Sequence, residues 1–126
     1  MMEGGIKKSF RFPKSKRLRK AAEFARVYAG KVFAADDFLV MQGLDNDGRE
    51  TRIGISVSKK VGNAVVRNRW KRLIREGFRM QQARFPGGLD LVVRPRKGAC
   101  AELAAIEASL VSLARRISRK LKRKEA

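Results

Sequence analysis

The sequence predicts one α+β domain, a two-layer sandwich of a small sheet and helices. Three observations carry this. Residues 62–76, GNAVVRNRWKRLIRE, space their apolar side chains at a helical period. Residues 52–58 alternate at a strand period. A length of 126 residues with 44% apolar side chains is enough for one core, and a second domain is not expected.

The elements follow in order. Residues 1–14 read as a flexible basic segment, because Gly4 and Gly5 weaken order and Pro13 interrupts any helix. Ser15 to Ala29 predicts a helix with Ala21, Phe24, Ala25 and Tyr28 on one face and Gly30 as its stop. Phe38 to Gly43 predicts an apolar strand, and Leu44 to Glu50, with Asn46, Asp47 and Gly48, a turn. Arg52 to Ser58 sets Ile53, Ile55 and Val57 against Gly54, Ser56 and Ser58, a strand with one wet side. These two strands are expected to pair as a hairpin. Asn63 suits the N-cap of the next helix, which should run to about Ala83, before Pro86, Gly87 and Gly88. Leu89 to Arg94 predicts a last strand, and its run Leu91-Val92-Val93 suggests burial on both faces. From Ala101 onward, Leu103, Ile106, Leu110, Leu113 and Ile117 trace a final helix. Arg115 to Lys124 is almost purely basic and is expected to fray into a tail. The order is α, β, β, α, β, α, with one strand–helix–strand crossover over residues 52–94 and helices covering one face of the sheet. The expected limits are a basic segment at 1–14, one domain at 15–118 and a basic tail at 119–126.

Charge points to the partner. The chain carries 31 basic and 12 acidic residues, a net charge of +19. Self-repulsion on that scale opposes folding unless a polyanion relieves it. On a helical wheel Val66, Trp70, Leu73, Ile74, Gly77 and Phe78 fall on one side, and Asn68, Arg69, Lys71, Arg72, Arg75 and Arg79 on the other, with Arg67 at the boundary. Lys59 and Lys60 extend this cluster, and basic segments flank it at both ends of the chain. Arginines held on a rigid helix grip phosphates as bidentate forks. Phe24 and Tyr28, four residues apart, fit either the core or stacking on unpaired bases; Trp70, between Leu73 and Ile74, is expected in the core.

The same composition speaks against a self-contained enzyme. The chain has no histidine, which removes the commonest general base and metal ligand. Cys100 stands alone, unable to form an internal disulfide or a zinc site by itself, and suits a reducing cytoplasm. Asp36, Asp37 and Asp90 form no evident carboxylate pair, and Asp36-Asp37 reads as a turn before a strand. No apolar run is long enough for a membrane span, and no signal peptide is read at the N-terminus. The expectation is a nucleic-acid binder without chemistry of its own. A small basic ribosomal protein fits size and charge equally well, a self-sufficient nuclease and a DNA-compacting protein less so.

The stretch SVSKKVGNAVVRNRWKRLIRE, with Arg67-Asn68-Arg69 at its centre, closely resembles the protein subunit of bacterial ribonuclease P. Phe12-Pro13-Lys14, Arg17-Leu18, Glu23-Phe24, Val27-Tyr28 and Asp90-Leu91-Val92-Val93-Arg94-Pro95 match the family in order and spacing, over about residues 10–118. The resemblance implies the order αβββαβα, a mostly antiparallel sheet of the ribosomal-protein-S5-domain-2-like kind, and a left-handed crossover against the usual rule. It implies a cytoplasmic ribonucleoprotein whose RNA carries the active site and, with Mg²⁺, cuts the 5′ leader from precursor tRNA. It needs no protein partner and no membrane, and the protein alone is expected to be inactive. Carried over by position, Lys59, Lys60, Asn63, Arg67, Asn68, Arg69, Lys71, Arg72 and Arg75 should face the RNA subunit. Phe12, Arg17, Phe24, Tyr28, Met41 and Arg94 should line the leader cleft. Two positions depart from the family pattern: Met41 stands where many relatives carry an aromatic ring, and Trp70 where a branched aliphatic is usual.

Overall fold

The computed structural model describes residues 14–125. After a single 3-10 turn at Lys14–Lys16, the elements are α1 (Ala21–Ala29), β1 (Phe33–Ala35), β2 (Leu39–Asp45), β3 (Arg52–Ile55), α2 (Ala64–Gln81), β4 (Leu89–Pro95) and α3 (Leu103–Glu125). The order is αβββαβα. Phe12 and the rest of the first thirteen residues lie outside the described chain.

The four strands run β1-β2-β4-β3 across the sheet. β2 pairs antiparallel with β1 and with β4, and β3 pairs parallel with β4. The expected hairpin between the second and third strands does not form: β4 lies between them. The reason is in β4 itself, where Leu89 to Val93 are all buried. A strand apolar on both faces belongs at the centre of a sheet, and β3 and β2, each with a half-exposed side, are displaced outward. The short strand β1 is not visible in the residue pattern, since three residues are too few to show an alternation.

Helices cover both faces, not one. α2 and α3 pack on the face of Met41, Ile53, Leu91 and Val93, and Trp70, Ile74, Phe78, Ile106, Leu110, Leu113 and Ile117 complete that core. Helix α1 lies on the opposite face, where Val27 meets Leu18 and Val92, with Phe24 and Leu44 against them. Helix α1 is six residues shorter than expected because the preceding segment is drawn into the sheet. The Leu18 N–H donates to the Ile53 carbonyl at 2.9 Å, and Arg17 forms a parallel bridge with Ile53.

At the other rim β1 turns its inner groups to β2, and the carbonyls of Phe33 and Ala35 face outward. Helix α3, continuous to Glu125 through the segment expected to fray, runs beside them. Arg116 Nη1 donates to the Ala35 carbonyl at 3.1 Å, Lys120 Nζ to that of Phe33 at 2.5 Å, and Lys124 Nζ to that of Gly30 at 3.4 Å. Spacing of four residues stacks the three cations on one helix face. The loop residues behave as read: Asp47 and Gly48 take positive φ, and the Asp36 carboxylate accepts the N–H groups of Phe38 and Leu39.

Candidate nucleic-acid interface

The basic helix is pinned at its start. Asn63 Oδ1 accepts the Val66 N–H at 3.0 Å, the expected cap. Gly62 permits this turn because a Cβ there would stand 2.8 Å from Val66 Cγ1. Ser58 caps the 3-10 turn Lys59–Val61 that leads in. Trp70, Ile74, Gly77 and Phe78 are buried, so the opposite face of α2 is turned to solvent. It presents Asn68, Arg69, Arg72 and Arg75, with Lys59, Lys60 and Asn63 exposed beside them and Arg67 and Lys71 half-buried. No acidic residue occurs between Arg52 and Arg75. Two of the arginines are anchored to backbone: Arg67 Nε donates to the Gly62 carbonyl at 3.2 Å, and Arg69 Nη2 to that of Ala101 at 3.3 Å. Anchoring one edge of a guanidinium fixes the direction in which its remaining donors point.

The second surface is the sheet face that carries α1. Strand register puts Val40 opposite Arg94 and Gln42 opposite Val92, with Phe33 beside Gln42 and Ala35 beside Val40. Helix α1 covers only the Leu44–Val92 end. The other end stays open as a trough of about 580 Å³, lined by Phe33, Val40, Gln42, Arg94, Arg96 and Lys97, with no acid among the described residues of its walls. Arg94 Nη1 lies 3.4 Å from Gln42 Oε1, to which it donates.

The structure divides the residues assigned to the cleft. Tyr28 is 37% exposed on α1, and Arg94 is exposed on the same side of the sheet. Phe24 is half-buried and structural in part: a Cβ on Gly54 would stand 2.6 Å from Phe24 Cζ, so the missing side chain of β3 seats the ring. Arg17 sits at the β3 edge, where it shares a cavity of about 160 Å³ with Arg19 and Arg75, joining the N-terminal segment to the basic helix. Met41 is a correction. It is fully buried in the core beneath α2 and α3, because in β2 the residues Leu39, Met41 and Gly43 face inward and Val40 and Gln42 face the trough. Apolar residues on both faces of Leu39-Val40-Met41 hide the parity. Phe33, Val40, Gln42, Arg96 and Lys97 escape a sequence reading because only the pairing of β1, β2 and β4 collects them.

One ionic network sets α1 on the sheet. Arg52 on β3 forks onto Asp90 of β4, Nε to Oδ1 at 2.9 Å and Nη2 to Oδ2 at 2.7 Å, while Nη1 reaches Glu23 Oε2 of α1 at 2.9 Å. Asn46 Nδ2 adds a bond to Asp90 Oδ1 at 3.0 Å. Burial pushes the Asp90 carboxyl up, but the hydrogen bonds from Arg52 and Asn46 and the nearby positive charge outweigh it and hold it below its ordinary value. Glu23 accepts the backbone N–H groups of Arg19 and Lys20, each at 3.0 Å. Those two bonds, then Arg52, lower its pKa from 4.5 to about 2.

Among the described residues no group of three or more His, Cys, Asp or Glu is placed to hold a metal ion. Of the part-buried or buried carboxylates, Glu23 and Asp90 are already bound to Arg52, and Asp36 accepts the Ser109 hydroxyl and the N–H groups of Phe38 and Leu39. The donor set therefore does not fit a protein-held Mg²⁺. No helix of the described residues is long and apolar enough to cross a membrane.

A rigid cationic helix on one layer and a cation-lined trough edged by Phe33 on the other fit the class of proteins that bind polyanions. The family model for Ribonuclease P matches residues 12–118. The ribonuclease P protein component of Brevibacillus brevis is 46% identical over 105 residues, covering 82% of this chain and 83% of the relative. That of Lachnoclostridium phytofermentans is 40% identical over 102 residues, covering 80% and 88%. Among solved structures, the Thermotoga maritima RNase P protein superposes with a TM-score of 0.72 at 30% identity, covering 79% of this chain and 96% of that one. The Staphylococcus aureus RNase P protein does so at 0.68 and 36%, covering 79% and 93%. The chain belongs to the ribonuclease P protein family. It is a protein component of the ribonucleoprotein that matures the 5′ end of tRNA.

Proposed function

We propose that the two faces divide the work of the holoenzyme. The solvent side of α2, with Lys59, Lys60, Asn63, Arg67, Asn68, Arg69, Lys71, Arg72 and Arg75, docks on the ribonuclease P RNA. The α1 face, with Tyr28, Phe24 and Arg94, receives the single-stranded leader of precursor tRNA, and Arg17 stands where the two surfaces meet. The observation that carries this reading is the separation itself. The cations of α2 lie on one layer of the sandwich, the trough on the other, and Arg17 and Arg75 share a cavity at the β3 edge. A protein so arranged can hold catalytic RNA and substrate strand together.

The protein's part is binding, orientation and charge neutralisation. Phosphates of two RNAs converge on one site, and anchored arginines lessen their mutual repulsion. Contacts to the leader favour precursor over mature tRNA, because only the precursor has a leader to hold. Mg²⁺, when bound, would supply the activated water and charge stabilisation of phosphodiester hydrolysis, on the RNA. The cytoplasm is the matching compartment.

The test is cleavage of a precursor tRNA at low Mg²⁺ with the protein alone, a ribonuclease P RNA alone, and both. Cutting at the mature 5′ end that needs both components, or is strongly enhanced by the protein, supports the reading. Cutting by the protein alone would place the active site in this chain. No effect of the protein on the RNA would leave it a general RNA binder.

A further inference from the structure

We propose that Phe33, clamped by Lys120, is a stacking platform for an unpaired base of the strand held in the trough; the proposal rests on the cleft reading above. Phe33 is 55% exposed, although large apolar rings are ordinarily buried. It is not a loose surface ring. Lys120 Nζ lies 5.3 Å from the Phe33 ring centroid and donates to the Phe33 carbonyl at 2.5 Å. An ammonium over an aromatic face is attractive, and the second bond fixes where that ammonium sits. The ring is therefore held from the α3 side while its exposed part edges the trough.

The rest of the trough matches a nucleotide. Arg94, Arg96 and Lys97 line it and, among the described residues, no carboxylate does, so the charge suits phosphate. Arg96 is steadied by its bond to the Asp36 carbonyl at 3.2 Å. An aromatic ring beside backbone-tracking cations is the combination by which proteins hold single strands with little regard to sequence. Gln42, already engaged by Arg94, retains an amide NH₂ that can donate to a base edge. Buried Met41 supplies no ring to this face, and Phe33 stands on the neighbouring strand, beside Gln42.

The experiment uses holoenzyme reconstituted from the full chain and a ribonuclease P RNA, under non-cleaving conditions. Affinity is measured for mature tRNA and for precursors carrying one abasic nucleotide at successive leader positions. Phe33→Ala is expected to weaken precursor binding by roughly fivefold to a hundredfold. Mature tRNA binding stays unchanged and Phe33→Trp restores the loss. With one particular abasic leader the wild type and Phe33→Ala should bind alike, which locates the stacked base. Lys120→Met should cost about two- to fivefold. If Phe33→Ala binds precursor like the wild type while Tyr28→Ala does not, the platform is overturned and the cleft reading stands. If neither variant affects precursor binding, the cleft reading fails first. Equal weakening of precursor and mature tRNA would overturn the platform in favour of a role in assembly.

Discussion

One guanidinium, that of Arg52, joins α1, β3 and β4, and its loss should be felt in stability and in substrate choice. Asp90 is only 2% exposed, and Arg52→Ala would strand its carboxylate. Breaking such a pair costs about 3–5 kcal/mol, which urea unfolding would register. Because the same group sets α1 in place, the surviving folded protein should also discriminate less between precursor and mature tRNA. Glu23 adds a pH signature. Its folded pKa of about 2 lies below the ordinary 4.5. Its contribution is therefore complete above about pH 4.5 and disappears as pH falls from there through about 2. Replacing Glu23 by Gln should flatten the stability profile across that window. Met41 shows where a single position misleads. Aligning it with a ring-bearing position of the family puts it in the cleft, but strand parity puts it in the core. Met41→Ala should cost about 2–5 kcal/mol and leave the ratio of precursor to mature affinity unchanged.

Among the elements, α2 was the most legible. A stripe of Trp70, Ile74, Gly77 and Phe78, a capping Asn63 and a clear stop fix its face and its ends without any tertiary information. Asn63→Ala should cost about 1 kcal/mol of stability. Arg67→Ala with Arg69→Ala should instead leave the melting temperature nearly unchanged and weaken assembly with the RNA subunit, read by titration against that RNA. Unaltered assembly would mean that α2 faces something else. The strands were harder to read. Pairing partners are long-range facts, and local alternation makes neighbours in sequence look like neighbours in space. Leu91-Val92-Val93 did hold the signal that β4 is central, and among the three strands visible in the sequence a central β4 separates the other two. The start of α1 was lost for a similar reason: Leu18 is claimed by the β3 edge, a contact no helical propensity records.

For the whole molecule, the net charge of +19 dominates behaviour in solution. Binding to the RNA subunit should fall steeply with salt, with a log–log slope of about −0.7 to −0.9 for each phosphate contacted. Replacing one arginine of α2 by Ala should reduce that slope by about one unit, while Phe33→Ala should leave it almost unaltered, since stacking releases no counterions. Composition made the partner class legible, and the run around Arg67-Asn68-Arg69 the family. The trough was not legible, because β1 and β2 form only part of it and β4, far away in sequence, completes it.

The cations of α3 on the carbonyls of β1 have a consequence for how the protein behaves in company. A sheet ends in rims that invite a neighbour's strand, and uncovered rims lead to sheet-to-sheet polymerisation. Here Arg116 and Lys120 occupy the outward carbonyls of β1 and Leu18 occupies the β3 edge, so neither rim is left bare. Net repulsion keeps copies apart at low salt; where salt or a polyanion neutralises that charge, the covered rims are what would oppose strand-to-strand association. Removal of residues 119–126 should leave a chain that is monomeric in dilute buffer and aggregates at high salt, a change that light scattering would follow directly.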